Sequence, residues 1–320
     1  MSAPQHVVVT GGAGFIGSHL VERLLADGAR VTVLDDLSTG SEENLSKVSA
    51  NARLTFVKAR ISGCGQLPEL IATADQVIHL AAAVGVELVV RSPVRVIETN
   101  VHETEVLLKA AKPRRTPVLL ASTSEVYGKS TKEIFSEEDD LLIGSPTHAR
   151  WSYACSKLMD EFLALAYAKE HGVPVTIARF FNTVGPRQTG RYGMVLPRFI
   201  AAAKRHEPLR VYGDGRQSRC FCFVADAVEA LVRLMRCDPA RGEIFNVGGT
   251  EEISIAELAQ QVIQILGSKS SVELVPYNEA YAPGFEDMRR RKPSVAKLEK
   301  LTGFKPATSL RDIIQRTAIQ

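Results

Sequence analysis

One stretch near the N-terminus fixes most of what this chain can become. An apolar run from His6 to Thr10 enters Gly11-Gly12-Ala13-Gly14-Phe15-Ile16-Gly17, a helical pattern continues to Ala26, and a second apolar run, Arg30 to Asp35, ends on an acid. Gly12-x-Gly14-x-x-Gly17 alone is a weakly specific match, but here the strand, helix and acid arrive in the order that a dinucleotide-binding βαβ unit requires. The glycines permit the tight turn, close backbone approach to a pyrophosphate and close helix packing, and the helix N-terminus stabilises phosphate charge. Gly11, Gly14, Phe15, Ile16 and Gly17 are therefore expected to hold the diphosphate of a cofactor. Asp35 would accept hydrogen bonds from the adenosine ribose hydroxyls and repel a 2′-phosphate, which favours NAD over NADP.

The same alternation continues along the chain. His6 to Thr10, Arg30 to Asp35, Leu54 to Lys58, Gln76 to Leu80, Val118 to Ser122 and Val173 to Arg179 read as successive strands, with helices over Gly17 to Ala26, Asn100 to Ala111 and Tyr153 to His171. Strands alternating with helices predict an α/β fold, a doubly wound parallel sheet (Rossmann). After Phe181 prolines and glycines punctuate the pattern (Pro186, Gly190, Gly193, Pro197, Pro208, Gly213, Gly215), which predicts a smaller C-terminal α/β substrate lobe. The expected division is a cofactor domain over 1–179, with a returning segment near 219–249 that includes a strand at Ile244 to Val247, and a substrate lobe over 180–218 and 250–320. Helices at Ile253 to Leu266 and Ser309 to Thr317 belong to that lobe.

With 320 residues, 45% hydrophobic and 23% charged, the chain can bury one large or two modest cores. A net charge of +3, with basic residues scattered except at Arg289, Arg290, Arg291 and Lys292, gives no nucleic-acid footprint. No apolar run approaches the ~20 residues of a membrane span, and no basic, apolar leader precedes the first strand, so a cytoplasmic protein without membrane contact is expected. Five cysteines without paired short spacings predict reduced thiols, and Cys220 and Cys222 read as core packing rather than metal ligands. No metal site is expected.

Chemistry enters with Tyr153-Ala154-Cys155-Ser156-Lys157, preceded by Thr123-Ser124-Glu125-Val126-Tyr127-Gly128. Lys157 lies one helical turn after Tyr153, so an ammonium shares a face with the phenol and would lower its pKa. An ionised tyrosine can take a hydroxyl proton as hydride leaves the same carbon. This combination points to redox chemistry on a sugar.

The segments GGAGFIG, HLAAA (His79 to Ala83), STSEVYG (Ser122 to Gly128), YACSK and FFNTVGPRQ (Phe180 to Gln188) resemble the extended short-chain dehydrogenase/reductase family of NAD-dependent nucleotide-sugar epimerases and dehydratases, across nearly the whole chain. Arg150 to Cys155 and Arg291-Lys292-Pro293-Ser294 resemble its UDP-glucuronate decarboxylase (UDP-xylose synthase) branch. The resemblance implies that Leu80, Ala81 and Ala82 line the cofactor with Tyr153 and Lys157, that Thr123 and Ser124 bind sugar hydroxyls near C4, and that Tyr153 is the base for C4 oxidation. Once C4 is a ketone the C5 carboxylate is a β-keto acid and can leave as carbon dioxide. Glu125 and Arg291 then carry the acid and base duties at C5, and arginine suits a carboxylate through its bidentate fork. Arg219 corresponds to an arginine that binds the nucleotide diphosphate; Val84, Arg150, Asn182, Arg210 and Phe285 are carried over as substrate contacts. Two positions depart from the relatives. Arg60 stands where they place an aspartate near the adenine, and Val84 falls near a reactive cysteine of the apiose-forming relatives, which argues against ring contraction.

The same 4-keto intermediate serves a 4-epimerase, which rotates the sugar and returns the hydride, and a 4,6-dehydratase, which many relatives run with an aspartate where this chain has Ser124. From another class, a catalytically silent NAD-binding regulator would have no reason to keep Thr123, Tyr153 and Lys157 together. The resemblance also implies a homodimer through Asn100 to Ala111 and Tyr153 to His171. The expected function is NAD-dependent decarboxylation of UDP-glucuronate to UDP-xylose or its 4-keto form.

Overall fold

The strands of the first half are short, β-branched and almost entirely buried, which suits the interior of a sheet covered on both faces. The computed structural model describes residues 5–189, 194–280 and 288–319. Its centre is a seven-stranded sheet built from β1 (His6–Thr10), β2 (Arg30–Asp35), β3 (Leu54–Lys58), β4 (Gln76–His79), β5 (Val118–Thr123), β6 (Val175–Phe180) and the strand Ile244–Val247. All pairs are parallel, and the order across the sheet is Ile244–Val247, β6, β5, β4, β1, β2, β3. The order reverses between β1 and β4, and in such sheets ligands bind outside the carboxyl ends of the strands at that point.

Helices cover both faces. They are, in chain order, α1 (Phe15–Ala26), α2 (Leu67–Thr73), α3 (Val86–Arg91), α4 (Pro93–Ala111), α5 (Trp151–His171), α6 (Val195–Lys204) and α7 (Val224–Met235). Val7 and Val9 of β1 pack in the core shared with α1, α6 and α7, while Val8 between them packs with Ile71, Leu107 and Ala164 of α2, α4 and α5. That alternation is the period-2 geometry of a strand. Helix α4 starts at Pro93, seven residues before the expected Asn100: proline is tolerated in the first turn, where its missing N–H has no partner to lose, and the β-branched run behind it disguises the helix.

Beyond the sheet, Leu209–Tyr212 pairs in parallel with Val272–Val275, and Ser218–Cys220 pairs antiparallel with Glu252–Ser254. A third core gathers Val126, Tyr127, Phe135, Trp151, Phe181 and Met288. It is tied to the late chain by backbone bonds from Phe135 N to Lys292 O and from Ser294 N to Phe135 O, both 2.8 Å. Among the described residues no helix is long and apolar enough to cross a membrane.

Candidate active site

A large cleft, with about 470 Å³ of internal volume, runs across the carboxyl ends of the strands from the glycine turn to the late segment carrying Arg291. At its floor Gly11 adopts φ +70°, and a Cβ there would overlap the Ala81 backbone; one on Gly17 would overlap the Gly11 carbonyl oxygen. Only glycine fits at either place. Gly14 caps α1 without a side-chain acceptor and no acid occupies the first turn, so the helix's free amides face the cleft. Asp35 lines the cleft at the end of β2, and its carboxylate accepts from Ala13 N (2.9 Å) and Leu37 N (2.8 Å). It thus braces the glycine turn as well as facing the ribose position. Burial pushes its carboxyl up, with the two amide bonds opposing. A glycine-floored, amide-ended cradle with a carboxylate at the next strand fits the diphosphate and ribose of NAD. Leu80, Ala81 and Ala82 line the same wall.

Arg60, beside Asp35, pairs with Asp36 (3.3 Å) on the rim. This charged couple stands where the resemblance places an aspartate in the relatives.

Thr123 ends β5, and its hydroxyl accepts from Glu125 N at 3.2 Å, nucleating the 3-10 turn Ser124–Tyr127 that presents Ser124 and Glu125 to the cleft. The Thr123 hydroxyl also hydrogen-bonds Tyr153, one turn before Lys157 on α5. Here one expectation is corrected. The Lys157 ammonium lies 2.7 Å from Asp160 Oδ2, and no lowering of the phenol results: burial and the Glu125 charge hold Tyr153 well above its usual value, the Thr123 bond opposes, and Asp160 adds to the rise.

Glu125 is a mostly buried carboxylate between two guanidiniums, with Oε1 2.5 Å from Arg291 Nη1 and Oε2 3.2 Å from Arg150 Nη2. Burial alone would raise its carboxyl, but Arg291, Arg150 and Arg219 outweigh burial and hold it below the usual range. Glu125 therefore rests as an anion. Arg150, at the start of α5, stacks its guanidinium 5.3 Å from the Trp151 ring centroid rather than capping the helix. Arg219 is buried, donates to Met288 O (2.8 Å) and lines the cleft, as do Val84 and Asn182. Asn182 takes φ +33° and donates to Cys220 O.

Arg210 is the expectation that fails. It is exposed and does not line the cleft, with its guanidinium 3.6 Å from the carboxylate of Glu273, its register partner on Val272–Val275. Phe285 lies outside the described residues. The sequence reading also missed the far end of the cleft, where Arg198 of α6 stacks 4.0 Å from the Tyr212 ring centroid and Gln217 donates to Tyr212 O. The one usable signal was an arginine amid the apolar residues of α6. Among the described residues no three His, Cys, Asp or Glu side chains gather as a metal site.

A doubly wound sheet with this cradle and a Thr–Tyr–Lys set defines an NAD-dependent enzyme that oxidises and reduces at a hydroxyl carbon. Residues 7–248 match the NAD dependent epimerase/dehydratase family, and the chain belongs to it. It is 43% identical to a UDP-N-acetyl-alpha-D-glucosaminuronate decarboxylase of Bacillus cytotoxicus, over 97% of this chain and 95% of the relative. It is also 38% identical to UDP-glucuronic acid decarboxylase 2 of Arabidopsis thaliana, over 95% of this chain and 65% of the relative. Among solved structures, a UDP-glucuronic acid 4-epimerase of Bacillus cereus in complex with UDP-glucuronic acid and NAD superposes with a TM-score of 0.88 at 28% identity, covering 98% of each chain.

Proposed function

We propose that this protein decarboxylates a UDP-linked hexuronate through a 4-keto intermediate, UDP-glucuronate or its 2-acetamido counterpart. The observation that carries this reading is the convergence of Arg150 and Arg291 on Glu125, two residues after the Thr123 that hydrogen-bonds Tyr153. A site for a neutral sugar has little use for three guanidiniums around one carboxylate. A substrate bearing both a diphosphate and a carboxylate has use for all of them. The two curated relatives support it, since both are named as uronate decarboxylases, one with and one without the 2-acetamido group.

NAD, when bound, supplies the hydride acceptor at C4. Thr123 and Ser124 hold the sugar hydroxyls, and Tyr153 Oη takes the C4 hydroxyl proton. The phenol rests protonated, held above its usual value, so it releases its own proton before Oη takes that of the C4 hydroxyl, while the Lys157 ammonium one turn away is engaged by Asp160. The ketone makes the C5 carboxylate a β-keto acid, so the C5–carboxylate bond breaks, carbon dioxide leaves and its electron pair remains as an enolate. Arg291 and Arg150 hold the carboxylate before it departs, and Arg219 the diphosphate. Because Glu125 rests ionised, it first takes a proton from solvent and then delivers it to C5.

Mass spectrometry of UDP-glucuronate and UDP-N-acetylglucosaminuronate incubations tests this reading: loss of carbon dioxide from one of them is expected. Unchanged mass with inverted C4 stereochemistry would instead make the protein a 4-epimerase, the second reading favoured by the Bacillus cereus structure.

The sugar lobe is assigned to 180–218 and 250–320, with 219–249 returning to the cofactor domain 1–179; limited proteolysis with and without NAD checks that division. A homodimer is inferred from the exposed Val94 and Ile97 on α4 and Met159 and Phe162 on α5, two helices that pack together, and sedimentation velocity checks it. Five free thiols support a cytoplasmic setting, checked by cell fractionation.

A further inference from the structure

Behind the catalytic tyrosine lies a buried polar chain that the chemistry above does not use. Lys157 Nζ donates to Asp160 Oδ2 at 2.7 Å, and neither side chain has more than 3% of its surface exposed. The Asp160 carboxylate is also hydrogen-bonded by the Thr104 hydroxyl of α4. Thr104 Oγ1 lies 3.1 Å from His79 Nε2, and His79 Nδ1 lies 2.7 Å from Thr10 Oγ1, at the lip of the glycine turn. A fully buried aspartate is expensive unless its charge is compensated, and here its cationic partner is the lysine that shares a helix face with Tyr153.

We propose that Asp160 is a positioning residue: it is the counter-ion that fixes the Lys157 ammonium, and by its charge it sets the pH at which Tyr153 takes a proton. The surroundings leave that role to Asp160. From β4, His79 faces Lys157, but burial and the lysine charge lower its pKa to about 3, so it is neutral. Glu161, next along α5, is occupied by Arg179 (2.7 and 3.0 Å) and by the Ser122 hydroxyl. From the 3-10 turn, Glu125 faces Tyr153 but is held by its arginines. Asp160 is thus the acid whose removal changes the field at Tyr153 without touching the cleft, which it does not line.

The proposal rests on Tyr153 acting as the base, and its test separates the two. The pH dependence of the single-turnover rise in reduced cofactor absorbance is compared for wild type, Asp160→Asn and Asp160→Glu, with either UDP-hexuronate. Loss of the carboxylate charge favours the phenolate, so Asp160→Asn is expected to move the half-maximal pH down on the order of one unit, whereas Asp160→Glu keeps the wild-type profile. An unmoved midpoint, with activity lowered equally at every pH, marks a structural residue and overturns the proposal. The pair is also read directly in ¹⁵N-lysine spectra of the wild-type protein, whether or not Asp160→Asn folds. One exchange-protected ammonium, absent in Lys157→Met, is expected, and a spectrum without it overturns the proposal. If no variant yields reduced cofactor with either sugar, the reading of Tyr153 and substrate fails, and the lysine spectra still decide the Lys157–Asp160 pair.

Discussion

Replacing Glu125 by glutamine should destabilise the protein at neutral pH and lose that effect in acid. The carboxylate bridges Arg291 at 2.5 Å and Arg150 at 3.2 Å, with all three side chains at least four-fifths buried. Desolvation offsets most of the attraction in such a site, but removing one partner leaves the others uncompensated, at a cost of about 3–5 kcal/mol. Glutamine keeps one acceptor, so the lower end applies. For 320 residues the unfolding entropy is roughly 0.7 kcal/mol/K, and ~3 kcal/mol lowers Tm by about 4–5 °C. The sign with pH follows from the direction of the shift. Glu125 is held below its unfolded value, so its contribution is complete above the ordinary carboxylate range and drains away as pH falls through the depressed folded value. Calorimetry of wild type and Glu125→Gln at pH 7 and at successive steps below pH ~4.5 should show a gap that narrows as the wild type loses its advantage. Melting points within a degree at pH 7, or a gap constant into acid, would refute the claim that this triad is an ionised, stabilising cluster.

Three further outcomes follow from the same geometry. Tyr153→Phe should bind NAD with near-normal affinity, by fluorescence quenching, yet form no reduced cofactor in a single turnover, because the C4 proton has no acceptor. Gly17→Ala should abolish measurable NAD binding, since its methyl would occupy the space of the Gly11 carbonyl oxygen; calorimetric titration reads this. Arg210→Ala should leave kcat/KM within about two-fold of wild type, because its guanidinium pairs with Glu273 outside the cleft.

The sheet was legible because its strands are short apolar runs, and all seven fall within a residue or two of where the sequence put them. The helix at Pro93–Ala111 was legible only in its second half, since Val94, Val96, Ile97 and Thr99 have strand-like preferences that tertiary packing overrides. The residues of the site that are contiguous with their motif, Gly11 with Gly14 to Gly17 and Thr123 to Glu125, line the cleft. What the sequence could not show was direction. Arg210 and Tyr212 stand two apart on one short strand, yet Arg210 is drawn to Glu273 while Tyr212 stacks with Arg198 in the cleft. Helix spacing puts Lys157 near both Asp160, three residues on, and Tyr153, four residues back, but not which of them the ammonium bonds, and it bonds Asp160.

The two backbone bonds between Phe135 and the segment Lys292 to Ser294 carry a consequence for biosynthesis. Chains emerge N-terminus first and their domains generally fold as units. The glycine turn, Thr123 and Tyr153 can therefore all be in place while Arg291 is still untranslated. Glu125 then gains its second arginine only when the closing stretch of the polypeptide zips onto Phe135.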